Sequence, residues 1–81
     1  MQMIKPMNDG SFYFYGSKVH HIKPVVNSIG LVENHVFTWN EESGEYVMVQ
    51  ELPEEDLEGI NAYLLLTQSN PMIYDHLSSI N

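Results

Sequence analysis

Four histidines, eleven carboxylates and seven serines are the side chains of this 81-residue sequence that could do chemistry, and their spacing limits what they could do. His20 and His21 are adjacent in an extended-looking segment, so their rings point to opposite faces and cannot share one metal ion. His35 and His76 lie far away in sequence, and no H-E-x-x-H or comparable fixed spacing joins them to a carboxylate. Asp75-His76 has the same adjacency problem on a helix. Ser11, Ser17, Ser28, Ser43, Ser69, Ser78 and Ser79 fall in turn-like or terminal contexts, and none occupies a G-x-S-x-G elbow. Glu41, Glu42, Glu45 and Asp56 could supply an acid/base pair, but so short a chain leaves no segment to wall off a substrate cavity. There is no glycine-rich phosphate loop. The absence of cysteine removes thiolate nucleophiles, disulfides and thiolate-bound metals. The expectation is a protein that is not an enzyme and carries neither metal nor cofactor.

Charge is the more informative signal. The formal net charge is −8, with three Lys+Arg against eleven Asp+Glu. Residues 1–32 hold Lys5, Lys18 and Lys23 against Asp9, whereas residues 33–81 hold the other ten acids and no Lys or Arg. Such a field discourages binding to DNA, RNA or anionic lipid, which need cationic side chains to neutralise phosphate. The aromatic run Phe12 to Tyr15 has the look of a base-stacking platform, but it lacks interleaved Lys and Arg. A basic protein would be attracted instead.

These residues need a scaffold. At 81 residues the chain reads as one domain with a thin margin of stability. No apolar run is long enough to span a bilayer, and the start lacks a signal-peptide pattern; with the lack of cysteine this predicts a cytoplasmic protein. Residues 2–7 read as a short edge strand before an Asn8-Asp9-Gly10 turn. Ser11 to Tyr15 reads as a strand with Phe12 and Phe14 on one face and Tyr13 and Tyr15 on the other. Lys18 to Ile22 reads as another, closed by Pro24. Val25 to Val32 fits either a strand or a helical turn stopped by Gly30. His35 to Trp39 and Tyr46 to Gln50 form a hairpin around the acidic connection 40–45.

Residues 53–69 then predict a helix. Pro53 suits its start, Glu54, Glu55 and Asp56 suit the positive end of the helix dipole, and Leu57, Ile60, Tyr63, Leu64 and Leu65 or Leu66 supply an apolar side. Asn70-Pro71 opens a second predicted helix over 71–79. The fold class expected is α+β: a small antiparallel sheet of four to five strands, mainly hairpins over 1–50, with two C-terminal helices packed on one face.

Functionally, the sequence predicts a small acidic protein-interaction module. Its acidic rim comprises Glu41, Glu42, Glu45, Glu51, Glu54, Glu55, Asp56 and Glu58, with Tyr13, Tyr15, Trp39 and Tyr46 as aromatic anchors. A basic, nucleic-acid-binding protein inhibited by a DNA-like surface is one form of partner, of the kind that small acidic proteins of bacterial viruses engage. The alternative is a structural subunit that forms a homodimer through an exposed Tyr13–Tyr15 sheet face.

Overall fold

Alternation of apolar and polar residues along short extended segments produces a sheet with one dry face and one wetter face. In the computed structural model, residues 3–49 and 51–67 are described. Five strands follow in chain order: β1 (Met3–Pro6), β2 (Phe12–Tyr15), β3 (Val19–Val26), β4 (Val32–Asn40) and β5 (Glu45–Met48). Each pairs antiparallel with the next, giving a simple meander β1-β2-β3-β4-β5. One helix, α1 (Glu54–Thr67), lies on the inner face. The sheet and α1 match the expected α+β class, while the second helix predicted over 71–79 lies outside the described residues.

Phe12 and Phe14 of β2, Ile22 of β3 and Val36 of β4 point inward and meet Ile60 and Leu64 of α1. Each such buried apolar side chain contributes about 1.5–3 kcal/mol. Ile4, Leu52, Leu57 and Tyr63 close the margins, with the Tyr63 and Phe12 rings 4.6 Å apart. Leu65 and Leu66 do not join the apolar side; they are exposed. The buried stripe of α1 runs at spacings of four through Asp56, Ile60 and Leu64, which turns residues 65 and 66 away from the sheet.

Two other expectations need correction. Pro24 does not end its strand, because β3 continues to Val26. The β2 ladder stops at Phe12–Ile22, so the missing N–H of Pro24 falls where β3 has lost its β2 partner. Residues 25–32 are neither one strand nor a helical turn. They comprise the end of β3, a hairpin bend over 27–31 and the first residue of β4: Asn27 Oδ1 accepts from the N–H groups of Ile29 and Leu31 at 3.0 and 2.9 Å, and Gly30 takes φ +86°.

Candidate functional site

In a meander, alternate turns share an end of the sheet. The β2–β3 turn (16–18) and the β4–β5 turn (41–44) therefore lie at one end, and the β1–β2 and β3–β4 turns at the other. The first turn of α1 is fastened to the former end by Asp56. Its Oδ1 accepts from the Ser17 N–H at 3.0 Å, and its Oδ2 accepts from the Ser17 hydroxyl and the Lys18 N–H, both at 3.1 Å. His20 Nε2 lies 2.7 Å from the same Oδ2, and His20 Nδ1 lies 2.8 Å from Thr38 Oγ1. An ionised carboxylate can only accept, so Nε2 carries the hydrogen, and in the neutral ring Nδ1 accepts from the Thr38 hydroxyl.

Burial pushes the Asp56 carboxyl up. The Ser17 N–H, His20, the Lys18 N–H and the Ser17 hydroxyl outweigh that cost and hold it below its ordinary value. Gly16 is part of the same fit, because a Cβ there would collide with the Asp56 carboxylate and reach 2.8 Å from Phe14 Cε1. The sequence carboxylate–imidazole–hydroxyl has the order of a catalytic relay. Here, though, His20 is 0%, Asp56 1% and Thr38 4% exposed. The relay faces the interior and locks helix to sheet.

Asp56 therefore leaves the wet acidic rim predicted for it. The signal for its role was its position four residues before Ile60 and eight before Leu64, on the buried stripe. The other rim residues, Glu41, Glu42, Glu45, Glu51, Glu54, Glu55 and Glu58, are all exposed. Glu41, Glu42 and Glu45 belong to the β4–β5 bend or its edge. Asn40 Oδ1 holds that bend by accepting from the N–H groups of Glu42 and Ser43, and Gly44 closes it at φ +69°. Glu54 and Glu55 flank Asp56 and so come to the same end of the sheet. Glu51 precedes the helix, and Glu58 lies one turn further along it. Among the described residues, neither Glu41 nor Glu42 forms an ion pair with Lys18, although all three line one shallow groove with Ser17, Val19, Trp39 and Asn40.

The four aromatic anchors share the outer sheet face. Register places Tyr13 opposite His21, His21 opposite Phe37, and Trp39 opposite Tyr46. The Tyr13 ring stacks on His21 at 4.1 Å and 6°. Tyr46 bridges the group, 5.9 Å from Tyr13, 6.2 Å from His21 and 5.1 Å from Trp39. Tyr15 lies 6.5 Å from Tyr13 at the side. Partial burial raises the Tyr46 hydroxyl above its ordinary pKa, with smaller contributions from Tyr13 and Tyr15. Burial lowers His21, helped by Lys23 and opposed by Asp9. His20 and His21, adjacent in the chain, thus serve opposite faces. Sequence reading did not place His21 in the aromatic cluster, although strict alternation with His20 puts it on the tyrosine side.

The chain matches no protein-family model, no curated protein and no solved structure. Its class rests on the fold of the described residues: a five-stranded antiparallel meander with one helix across its inner face. No helix among the described residues is long and apolar enough to cross a membrane.

Proposed function

We propose that this protein is an interaction module that docks a basic protein at the end of the sheet carrying the β4–β5 bend and the first turn of α1. One juxtaposition carries this reading. The exposed Trp39–Tyr46 pair, with ring centroids 5.1 Å apart, directly adjoins the carboxylates of Glu41, Glu42 and Glu45, and Glu54 and Glu55 lie at the same end. Half-exposed aromatics beside charged groups provide an anchor and a rim, the arrangement in which a few contacts carry most of the binding energy. The carboxylates steer a cationic partner and make the association sensitive to salt. A nucleic-acid-binding protein is the partner class that a negatively charged surface of this kind would occlude.

Affinity capture from the source cells at low and high salt tests the reading. The bait is compared with a variant in which Glu41, Glu42, Glu45, Glu54 and Glu55 are all replaced by Gln, and with Trp39→Ser. A basic species retained by the native chain at low salt, and lost from both variants, is expected. Capture that is unchanged by either variant refutes it.

A further inference from the structure

Among the described residues β1 and β5 are the edges of the sheet, and the backbone leaves them in different states. Hydrogen-bonded and non-bonded pairs alternate along an antiparallel ladder, so one bond fixes the phase of those that follow. At β1, the Met7 N–H donates to the Ser11 carbonyl at 2.8 Å. Counting by two makes Lys5–Tyr13 and Met3–Tyr15 the bonded pairs, which turns the backbone groups of Ile4 and Pro6 to the free side. Pro6 has no N–H to offer there, so this edge is blunted.

The β5 edge carries no proline. The Asn27 N–H donates to the Leu31 carbonyl at 2.8 Å, so Lys23–His35 and His21–Phe37 are bonded pairs of the β3–β4 ladder. The odd-numbered residues of β4 thus bond to β3, and its even-numbered residues bond to β5. Thr38–Val47 and Asn40–Glu45 are the bonded pairs of the last ladder, and Tyr46 and Met48 keep their N–H and C=O on the open side. Their side chains stand on the outer face with Trp39, at 37% and 44% exposure. Glu45 and Val47 form the column on the opposite face. Among the described residues Glu45 makes no ion pair.

We infer that β5 receives an extended basic segment of the partner as an added strand, its residues alternating between apolar side chains and Lys or Arg. The inference rests on the docking reading above and adds how the partner's chain is held. In such strand addition, main-chain bonds, here to Tyr46 and Met48, supply affinity, and the alternate side-chain columns supply specificity. Apolar residues of the added strand lie against Tyr46 and Met48. Its cationic residues lie across from Glu45, where an opposite-charge pair is favourable. Because β5 has only four residues, its backbone bonds are few and side-chain fit decides what binds. Charge selects this occupant over the others. A second copy laid along β5 would bring together the acidic ends of two chains, each of net charge −8. Residues 68–81 hold no Lys or Arg to meet Glu45.

Titration with a synthetic heptapeptide of alternating Lys and Val tests this, followed by the fluorescence of Trp39, the single tryptophan of the chain. Amide hydrogen exchange read by NMR locates the contact. The alternating peptide should bind saturably and slow exchange at Tyr46 and Met48, while Ile4 on the blunted edge keeps its rate. A peptide of the same composition with Lys and Val in separate blocks should bind at least about tenfold more weakly. Met48→Pro removes an edge N–H, as Pro6 does on β1. It should weaken binding at least about tenfold beyond Met48→Ala, which keeps that N–H. Exchange in the native chain needs no variant, so a poorly folded Met48→Pro leaves the test intact. Equal binding of the block peptide overturns the inference, as do Tyr46 and Met48 amides that exchange unchanged in the bound state. So does protection of those amides in the free chain, where it would mean that the edge is already covered. Capture of a basic partner that is lost with the five Glu→Gln changes, but equal for Met48→Pro and Met48→Ala, keeps the docking reading and removes the added strand.

Discussion

Asp56 and its neighbours Glu54 and Glu55 occupy one helical turn, yet the first is 1% exposed while the other two face water. The difference lies in angle around the helix and in what the opposite turn offers. Asp56 points at Ser17, Lys18 and His20, whose donors are already oriented by the β2–β3 turn and β3. Glu54 and Glu55 lie in the same turn but are exposed. A run of acids is thus two things: one residue fastens the helix, and the rest make a surface. The β4–β5 bend extends the second group with Glu41, Glu42 and Glu45.

The sharpest way to break this comparison is to remove the fastening carboxylate. Asp56→Ala leaves the Ser17 and Lys18 N–H groups and His20 without their acceptor, and should cost about 3–5 kcal/mol. That is a large fraction of the 5–15 kcal/mol typical of a whole domain, so urea unfolding should show a much lower midpoint or no cooperative transition. The same residue sets a pH dependence. Its folded pKa lies below its ordinary value of 3.8, so its stabilisation is complete above that value and is lost as pH falls through the folded pKa. The gap in unfolding free energy between the native chain and Asp56→Asn should be level near neutrality and shrink below about pH 4. A gap that widens on acidification would reverse the assignment.

Gly16→Ala attacks the fit from the other side. Its methyl would overlap the Asp56 carboxylate and crowd the Phe14 ring, so a loss of about 1–3 kcal/mol is expected from overpacking. Differential scanning calorimetry of the single variant would measure it. On the outer face the effects should be smaller. Tyr13→Ala removes the stack on His21 and the contact with Tyr46, at about 1 kcal/mol. Smallest of all should be the combined Gln replacement of Glu41, Glu42, Glu45, Glu54 and Glu55. Less mutual repulsion and weaker dipole compensation nearly cancel, leaving thermal stability within about 1 kcal/mol. A loss comparable to that of Asp56→Ala would erase the distinction between fastening and surface carboxylates.

Strand positions were legible wherever alternation was strict. Phe12 and Phe14 against Tyr13 and Tyr15 predicted the two faces, and Asn40 through Glu45 predicted the bend between β4 and β5. Pro24 misled because its missing N–H matters only on a paired edge, and which edge is paired is a tertiary fact. The stretch 25–32 was too short to reveal a period; Asn27 and Gly30 decided it through turn geometry. Asp56 was read from composition, as one acid among several near a helix start. Its spacing of four and eight from Ile60 and Leu64 carried the information, but the donors that make burial tolerable come from residues 17–20. Those partners lie 36–39 positions away, beyond the reach of local pattern.

Carboxylate footprinting, with carbodiimide-activated coupling of an amine read by mass spectrometry, addresses both halves of the account in one experiment. In the free folded protein Glu41, Glu42, Glu45, Glu54 and Glu55 should be labelled and Asp56 spared. With the captured basic partner present, labelling at those five should fall while a distal exposed acid, Glu58, changes less. Ready labelling of Asp56 in the free fold, or equal labelling of the five glutamates with and without the partner, would contradict the division on which the account rests.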